Sequence, residues 1–241
     1  MSAIRIGTAG WSIARDAADR FPAEGSSLQR YAARFSAAEI NSSFHRPHRV
    51  STWERWRDSV PDAFRFSVKV PKLITHELKL VECGEALDRF IGEAAALGDK
   101  LAILLVQLPP KLELDPGVAA KFFEALASRS RAAIACEPRH ASWFSKDADK
   151  LLEGLRVNRV AADPGRHEGA GEPGGWRAVS YWRLHGSPVM YRSSYADRIE
   201  LYARTLQSEA ERAHETWCIF DNTASSAATR DALTLTEAVR S

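Results

Sequence analysis

Residues 132–144 read AAIACEPRHASWF. A small apolar run of strand length ends in Glu137, Arg139 and His140, with Trp143 and Phe144 close behind. A charged surface turn would look like this, and so would one wall of an active site. Side chains alternate between the two faces of a strand. Ile134 and Cys136 therefore share one face, and Ala135 and Glu137 share the other.

Seven more short apolar runs flank this one, each separated from the next by a longer segment. The predicted strands are Ile4–Thr8, Ala37–Asn41, Phe64–Val70, Leu101–Leu108, Ala132–Glu137, Arg159–Asp163, Ser180–Gly186 and Thr216–Asn222. Predicted helices are Ser27–Phe35, Ser51–Asp58, Gly84–Leu97, Pro116–Ser128, Lys146–Leu155, Ala196–His214 and Ala224–Val239. Asp115 before Pro116 is a helix start of N-cap type followed by Pro at the first helical position. The stretch GRHEGAGEPGG at 165–175 is too rich in Gly and Pro for a helix, so the helix between strands six and seven is expected to be missing. Strands alternating with helices imply a parallel sheet. Eight strands in 241 residues fit a single TIM-like (β/α)8 barrel domain over residues 1–241. An open doubly wound sheet is the alternative. GTAGWS after the first strand lacks the third glycine and the helix of a dinucleotide fingerprint.

Composition narrows the function classes. The chain is 45% hydrophobic and 27% charged, with a formal charge of +2. That balance is ordinary for a globular protein and far from a dedicated nucleic-acid coat. Cys83, Cys136 and Cys218 are scattered and have neither zinc nor disulfide spacing. No signal segment or membrane-length apolar run is present. A cytoplasmic location without membrane association is therefore expected. Nothing in the sequence sets an oligomeric state.

The alternation then sorts the polar residues. If Ile4, Ile40, Phe66, Val106, Cys136, Leu184 and Phe220 point outward, the lumen receives Arg5, Glu39, Asn41, Ser67, Lys69, Gln107, Glu137, Asp163, Arg183, His185 and Asp221. Most of these sit at C-terminal strand ends, where barrel enzymes build their sites. Arg139 follows Glu137 on the same face if Pro138 keeps the register. A self-neutralising network of four acids (Glu39, Glu137, Asp163, Asp221) and four bases (Arg5, Lys69, Arg139, Arg183) is the bland account. Such networks seldom stabilise more than apolar packing does, so a functional cleft is the preferred reading.

The segments GTAGW (7–11), YAARFSAAEINSSF (31–44), TWERW (52–56), FRFSVKVPKLITHE (64–77), LGDKLAILLVQLPP (97–110), EPRHASWF (137–144), YWRLHGS (181–187) and FDNTASSAA (220–228), together with Asp163, resemble the YecE-like family, also called domain of unknown function 72. The resemblance runs through nearly the whole chain. It implies a TIM-type barrel with irregular decorations and supplies no reaction. By resemblance, the site residues are Glu39, Asn41, Lys69, His76, Gln107, Glu137, Arg139, His140, Asp163, Arg183, His185 and Asn222. The chain departs from the family pattern at His45 (usually Tyr), Ala141 (usually Pro) and Asp221 (often Asn).

The expected chemistry is that of an enzyme on a small anionic, phosphorylated or sugar-like substrate. Lys69, Arg139 and Arg183 would hold the anion. Glu39 and Glu137 would serve as acid and base if burial separates their pKa values. His185 would shuttle a proton, and Lys69 is also a candidate Schiff-base amine. Trp11 and Tyr191 would cover the mouth, as would Phe44 and Trp143, although packing beneath loops explains such aromatics equally well. No cofactor is expected. A divalent metal on Glu39, Glu137, Asp163, His185 and Asp221 is a minority reading, opposed by the nearby cations. The alternatives are a nucleic-acid partner, drawn from the basic and aromatic run at 44–72, and a ligand-binding protein without catalysis.

Overall fold

The computed structural model describes residues 3–240. Among these residues ten strands form two sheets. In chain order they are β1 (Ala3–Thr8), β2 (Ala37–Ile40), β3 (Arg65–Lys69), β4 (Leu101–Gln107), β5 (Ala133–Glu137), β6 (Val157–Arg159), β7 (Ala161–Asp163), β8 (Gly174–Gly175), β9 (Val179–Leu184) and β10 (Glu215–Phe220). One sheet runs β1-β10-β9-β7 and the other β2-β3-β4-β5-β6-β8. All pairings are parallel except the short β6–β8 contact, which closes the 165–175 loop.

Two seams join the sheets. At one, a single bridge pairs Ala9 with Glu39, and Gly10 N–H donates to the Glu39 carbonyl at 2.8 Å. A Cβ at Gly7 would lie 2.2 Å from the Ala37 carbonyl oxygen, so only glycine allows β1 and β2 to approach this closely. At the other seam, the predicted sixth strand splits: 157–159 pairs with β5 and 161–163 with β9. Val160 N–H still donates to Cys136 O at 2.8 Å. The strand positions thus follow one another around a TIM-like barrel whose ladder is interrupted at these seams.

The helices are α1 (Ser27–Ala32), α2 (Val50–Asp58), α3 (Gly84–Ala94), α4 (Pro116–Ala127), α5 (Lys146–Gly154), α6 (Ile199–Ala210) and α7 (Ala227–Arg240). Among the described residues no helix is long and apolar enough to cross a membrane. Their starts follow local chemistry. Ser26 and Gln29 form a capping box at α1, Asp115 caps α4 and Ser145 caps α5. α2 begins one residue before the predicted Ser51, after Arg49 and without a side-chain cap. α6 starts three residues later than expected, because Ser194 and Tyr195 bond to Asp231 on α7 instead.

The outward faces of the strands join the helices in one apolar core drawn from Ile6 to Leu235. Inside the barrel a second cluster contains Ala37, Ile103, Leu105, Ala135, Val160, Tyr181, Trp217 and Ile219. Tyr181 and Trp217 stack there at 5.9 Å. This apolar plug forms the floor on which the polar mouth stands.

Candidate active site at the barrel mouth

Arg183 is the centre of the site and is wholly buried. Position 183 comes two residues after Tyr181 on β9, so the strand's own period turns both inward. Its Nε and Nη2 donate to the two oxygens of Glu39 at 3.0 and 2.7 Å. Nη1 donates to Glu137 at 2.5 Å, and Nη2 also reaches Asp221 at 3.0 Å. The Tyr181 hydroxyl lies 2.9 Å from both Glu39 and Ser67 Oγ. His185 follows on the same face, with Nδ1 3.0 Å from Asp221 and Nε2 2.8 Å from Glu137. Arg139 pairs with Glu137, and its Nη2 lies 3.1 Å from His185 Nε2.

The electrostatics follow from this geometry. Burial pushes the Glu137 carboxyl up, but Arg139, Arg183 and His185 together outweigh it and hold it well below the usual range. Asp221 is lowered in the same way: Arg183 and His185 overcome its burial. Burial opposes the charge on Arg183 as well, and Glu39, Glu137 and Asp221 reverse that and raise it. Glu137 is therefore a fixed anion, and its expected use as a general acid does not fit its surroundings.

Lys69 behaves differently. It ends β3 with its side chain almost fully buried. Burial and then Arg183 lower its pKa, and Glu39, Glu137 and Asp221 offset this only in part. Among the described residues its amine has neither a hydrogen bond nor an ion pair; it sits 4.2 Å over the ring of Phe44. Arg139 Nε is also buried without a partner.

Other expected residues gather around this centre. Gln107 stands beside Glu137 in the β4–β5 register. Asn41 follows β2 and carries a buried side-chain oxygen without a partner. The His76 ring is 5.1 Å from Phe44, and burial and Lys69 lower its pKa. Tyr191 sits edge-on to His185 at 5.9 Å.

Several expectations are corrected. Val160 occupies the lumen, so Asp163 faces outward, where it accepts from Arg198 at 2.9 Å and from Tyr202. Arg5 belongs to the opposite end, paired with Glu215 and donating to Ala63 O. The four-against-four ring is thus three against three: Glu39, Glu137 and Asp221 with Lys69, Arg139 and Arg183. Asn222 turns to α7, donating to Asp231 at 2.7 Å and Ser193 O at 2.9 Å. His140 caps the short 141–144 turn through Ser142 N–H. Trp11 packs on Trp56 and Phe66. Trp143 is buried, its indole N–H donating to Leu112 O.

Within the basic, aromatic run at 44–72, α2 packs its aromatic side chains against the body of the protein. Trp53 is buried, Trp56 contacts Trp11, Trp53 and His48, and Arg57 pairs with Asp58. No group of three or more His, Cys, Asp or Glu among the described residues is placed to hold a metal ion. Tyr195 was missed in the sequence. It bonds Gly186 N–H and Asp163 O, both at 2.9 Å, and holds the loop that carries Tyr191.

This fold, with a buried charged web at its parallel strand ends, places the chain among the TIM-barrel-like α/β proteins. It belongs to the protein family of unknown function DUF72, whose description it matches over residues 5–241. It is 28% identical over 143 residues to the UPF0759 protein YecE of Escherichia coli (strain K12), a stretch that is 57% of this chain and 52% of that protein. It is 26% identical over 148 residues to the UPF0759 protein YunF of Bacillus subtilis (strain 168). The match thus spans about half the length of these relatives. A DUF72 family protein from Thermotoga maritima MSB8 superposes with a TM-score of 0.78 at 21% identity, covering 99% of both chains. A xylose isomerase-like TIM barrel/4-hydroxyphenylpyruvate dioxygenase fusion protein superposes with a TM-score of 0.50 at 12% identity over 88% of this chain and 39% of that one.

Proposed function

We propose that the protein is an enzyme that binds a small anionic substrate at the barrel mouth and acts on it by proton transfer. The observation that carries this reading is a pair of unused donors. A network built only for structure would close on itself, yet among the described residues Arg139 Nε is buried without a partner, and the Lys69 amine at the edge of the same network has neither a hydrogen bond nor an ion pair. A buried donor is rarely left unsatisfied without a reason, and a phosphate or carboxylate would satisfy Arg139 Nε and the amine together. Glu39, Glu137 and Asp221 fix Arg183 and His185, and His185 is the group placed to move a proton. Of the four expected catalytic residues, Lys69 and His185 are the candidates for proton transfer, and Glu39 and Glu137 hold Arg183 in place. Hydrolysis, lyase chemistry and isomerisation all fit this set. The three buried free thiols suit a reducing compartment, which supports a cytoplasmic setting.

The test is a thermal-shift screen of phosphorylated and carboxylated metabolites, followed by a turnover assay on each binder. A ligand at one hundred times its Kd adds about 2.7 kcal/mol. For a chain of this size that raises Tm by roughly 5–11 °C, and Lys69→Met should abolish the rise. Binders that shift both proteins equally would sink the reading. The complete pairing of Glu39, Glu137 and Asp221 favours a second reading, ligand binding without chemistry. Tight binding with no chemical change in the ligand would select it.

A further inference from the structure

Beside the mouth lies a cavity of about 410 Å³ between the turn after β2, the 73–77 turn after β3, and α3. Its volume is that of a small-molecule site, and such sites are mostly apolar with a few placed polar groups. Phe44, Leu73, Ile74, Ala86 and Phe90 line it. Leu73 stays 48% exposed at its edge, so apolar surface remains uncovered there. The acids at the rim are already engaged: Glu77 with Lys72 at 3.3 Å, and Glu93 with Arg89 at 3.4 Å. Arg46, also on the rim, has no ion pair among the described residues, leaving the rim with an excess of positive charge.

Phe44 connects this cavity to the mouth. One ring both lines the cavity and lies 4.2 Å from the Lys69 amine. The backbone that carries it is held, because Ser43 Oγ lies 3.0 Å from Ile40 O and 2.7 Å from Lys69 O. Phe44 is thus the side chain that stands between the two spaces.

We propose that the cavity takes the apolar tail of the substrate, whose anionic head meets Lys69 and Arg139. The substrate class is then an amphiphilic anion, an alkyl- or aryl-bearing phosphate or carboxylate. This inference rests on the proposed function of the mouth.

The test is calorimetric titration with n-alkyl phosphates from methyl to octyl and with the matching carboxylates. Burial of each methylene should tighten binding about fourfold until the cavity is full. Ala86→Phe, which fills the cavity, and Leu73→Ser, at its exposed edge, should flatten this dependence and leave methyl phosphate or acetate unchanged. Lys69→Met should weaken every member at least tenfold. Binding of short and long anions with equal affinity would overturn the tail site and leave the reading of the mouth standing. Long chains that bind Lys69→Met as well as they bind the wild type would show a cavity independent of the mouth, and would also overturn the inference. No binding by any member at millimolar concentration would overturn both.

Discussion

Replacing Arg183 with Met keeps the unbranched apolar stem and removes one buried charge. The guanidinium bonds three carboxylates and is itself wholly buried. Taking away one partner of a buried pair costs about 3–5 kcal/mol, because the other charge is left uncompensated. At 2–4 °C per kcal/mol for a chain of this size, Tm should fall by roughly 6–20 °C at pH 7.5. The pH dependence makes the prediction specific. With Arg183 present, Glu137 and Asp221 are held below their ordinary values. Their stabilisation is complete above the usual carboxylate range and is lost as pH falls through the lowered values. Without Arg183, Asp221 loses the largest counterweight to its burial and its carboxyl moves up, while Glu137 keeps Arg139 and His185. The variant therefore loses less stability than the wild type as pH falls. Urea melts of both proteins at pH 7.5 and pH 5 should show the gap narrowing. A gap below about 1 kcal/mol, or one of equal size at both pH values, would refute the view that these carboxylates depend on Arg183. A double-mutant cycle with Glu39→Gln would measure the coupling directly.

Lys69→Met should stabilise the apo-protein by about 1 kcal/mol, since it removes a desolvated amine without an ion pair; a drop in Tm by scanning calorimetry would mean that Lys69 supports the fold. Gly7→Ala should cost about 1–3 kcal/mol in urea melts, because its Cβ meets the Ala37 carbonyl at the sheet seam. A neutral result would show that β1 and β2 separate freely. Tyr195→Phe removes the bonds to Gly186 N–H and Asp163 O and should cost about 1–3 kcal/mol. Amide exchange should then quicken across 186–195 and stay unchanged in β3–β5, whereas uniform quickening would point to global destabilisation.

The barrel was legible because its signals are local. FRFSVKV places Phe66, Val68 and Val70 on one face and Ser67 and Lys69 on the other, and YWRLH does the same for Arg183 and His185. RVAAD at 159–163 carries no such contrast. Three small apolar residues precede Asp163, so the lumen position of Val160 could not be read, and Asp163 was assigned to the wrong face. Asn222 was assigned to the mouth by resemblance and turns instead to Asp231. Trp11 and His140 have polar or aromatic character but serve packing and capping roles.

The sequence by itself determined the order of the strands, the start of α4 at Asp115, and the facing of most strand residues, with Val160 and Asp163 as exceptions. Side-chain alternation and capping are settled within a few residues of chain. Only the tertiary structure decided which charges meet. Arg183 and Glu39 are 144 positions apart, and their contact depends on how the two sheets close around the lumen. That closure also sends Arg5 and Asp163 elsewhere, leaving three acids with three bases at the mouth. Arg183 spans all three carboxylates and Arg139 takes a further place on Glu137. Lys69, on the side of Phe44, is left without an ion pair among the described residues.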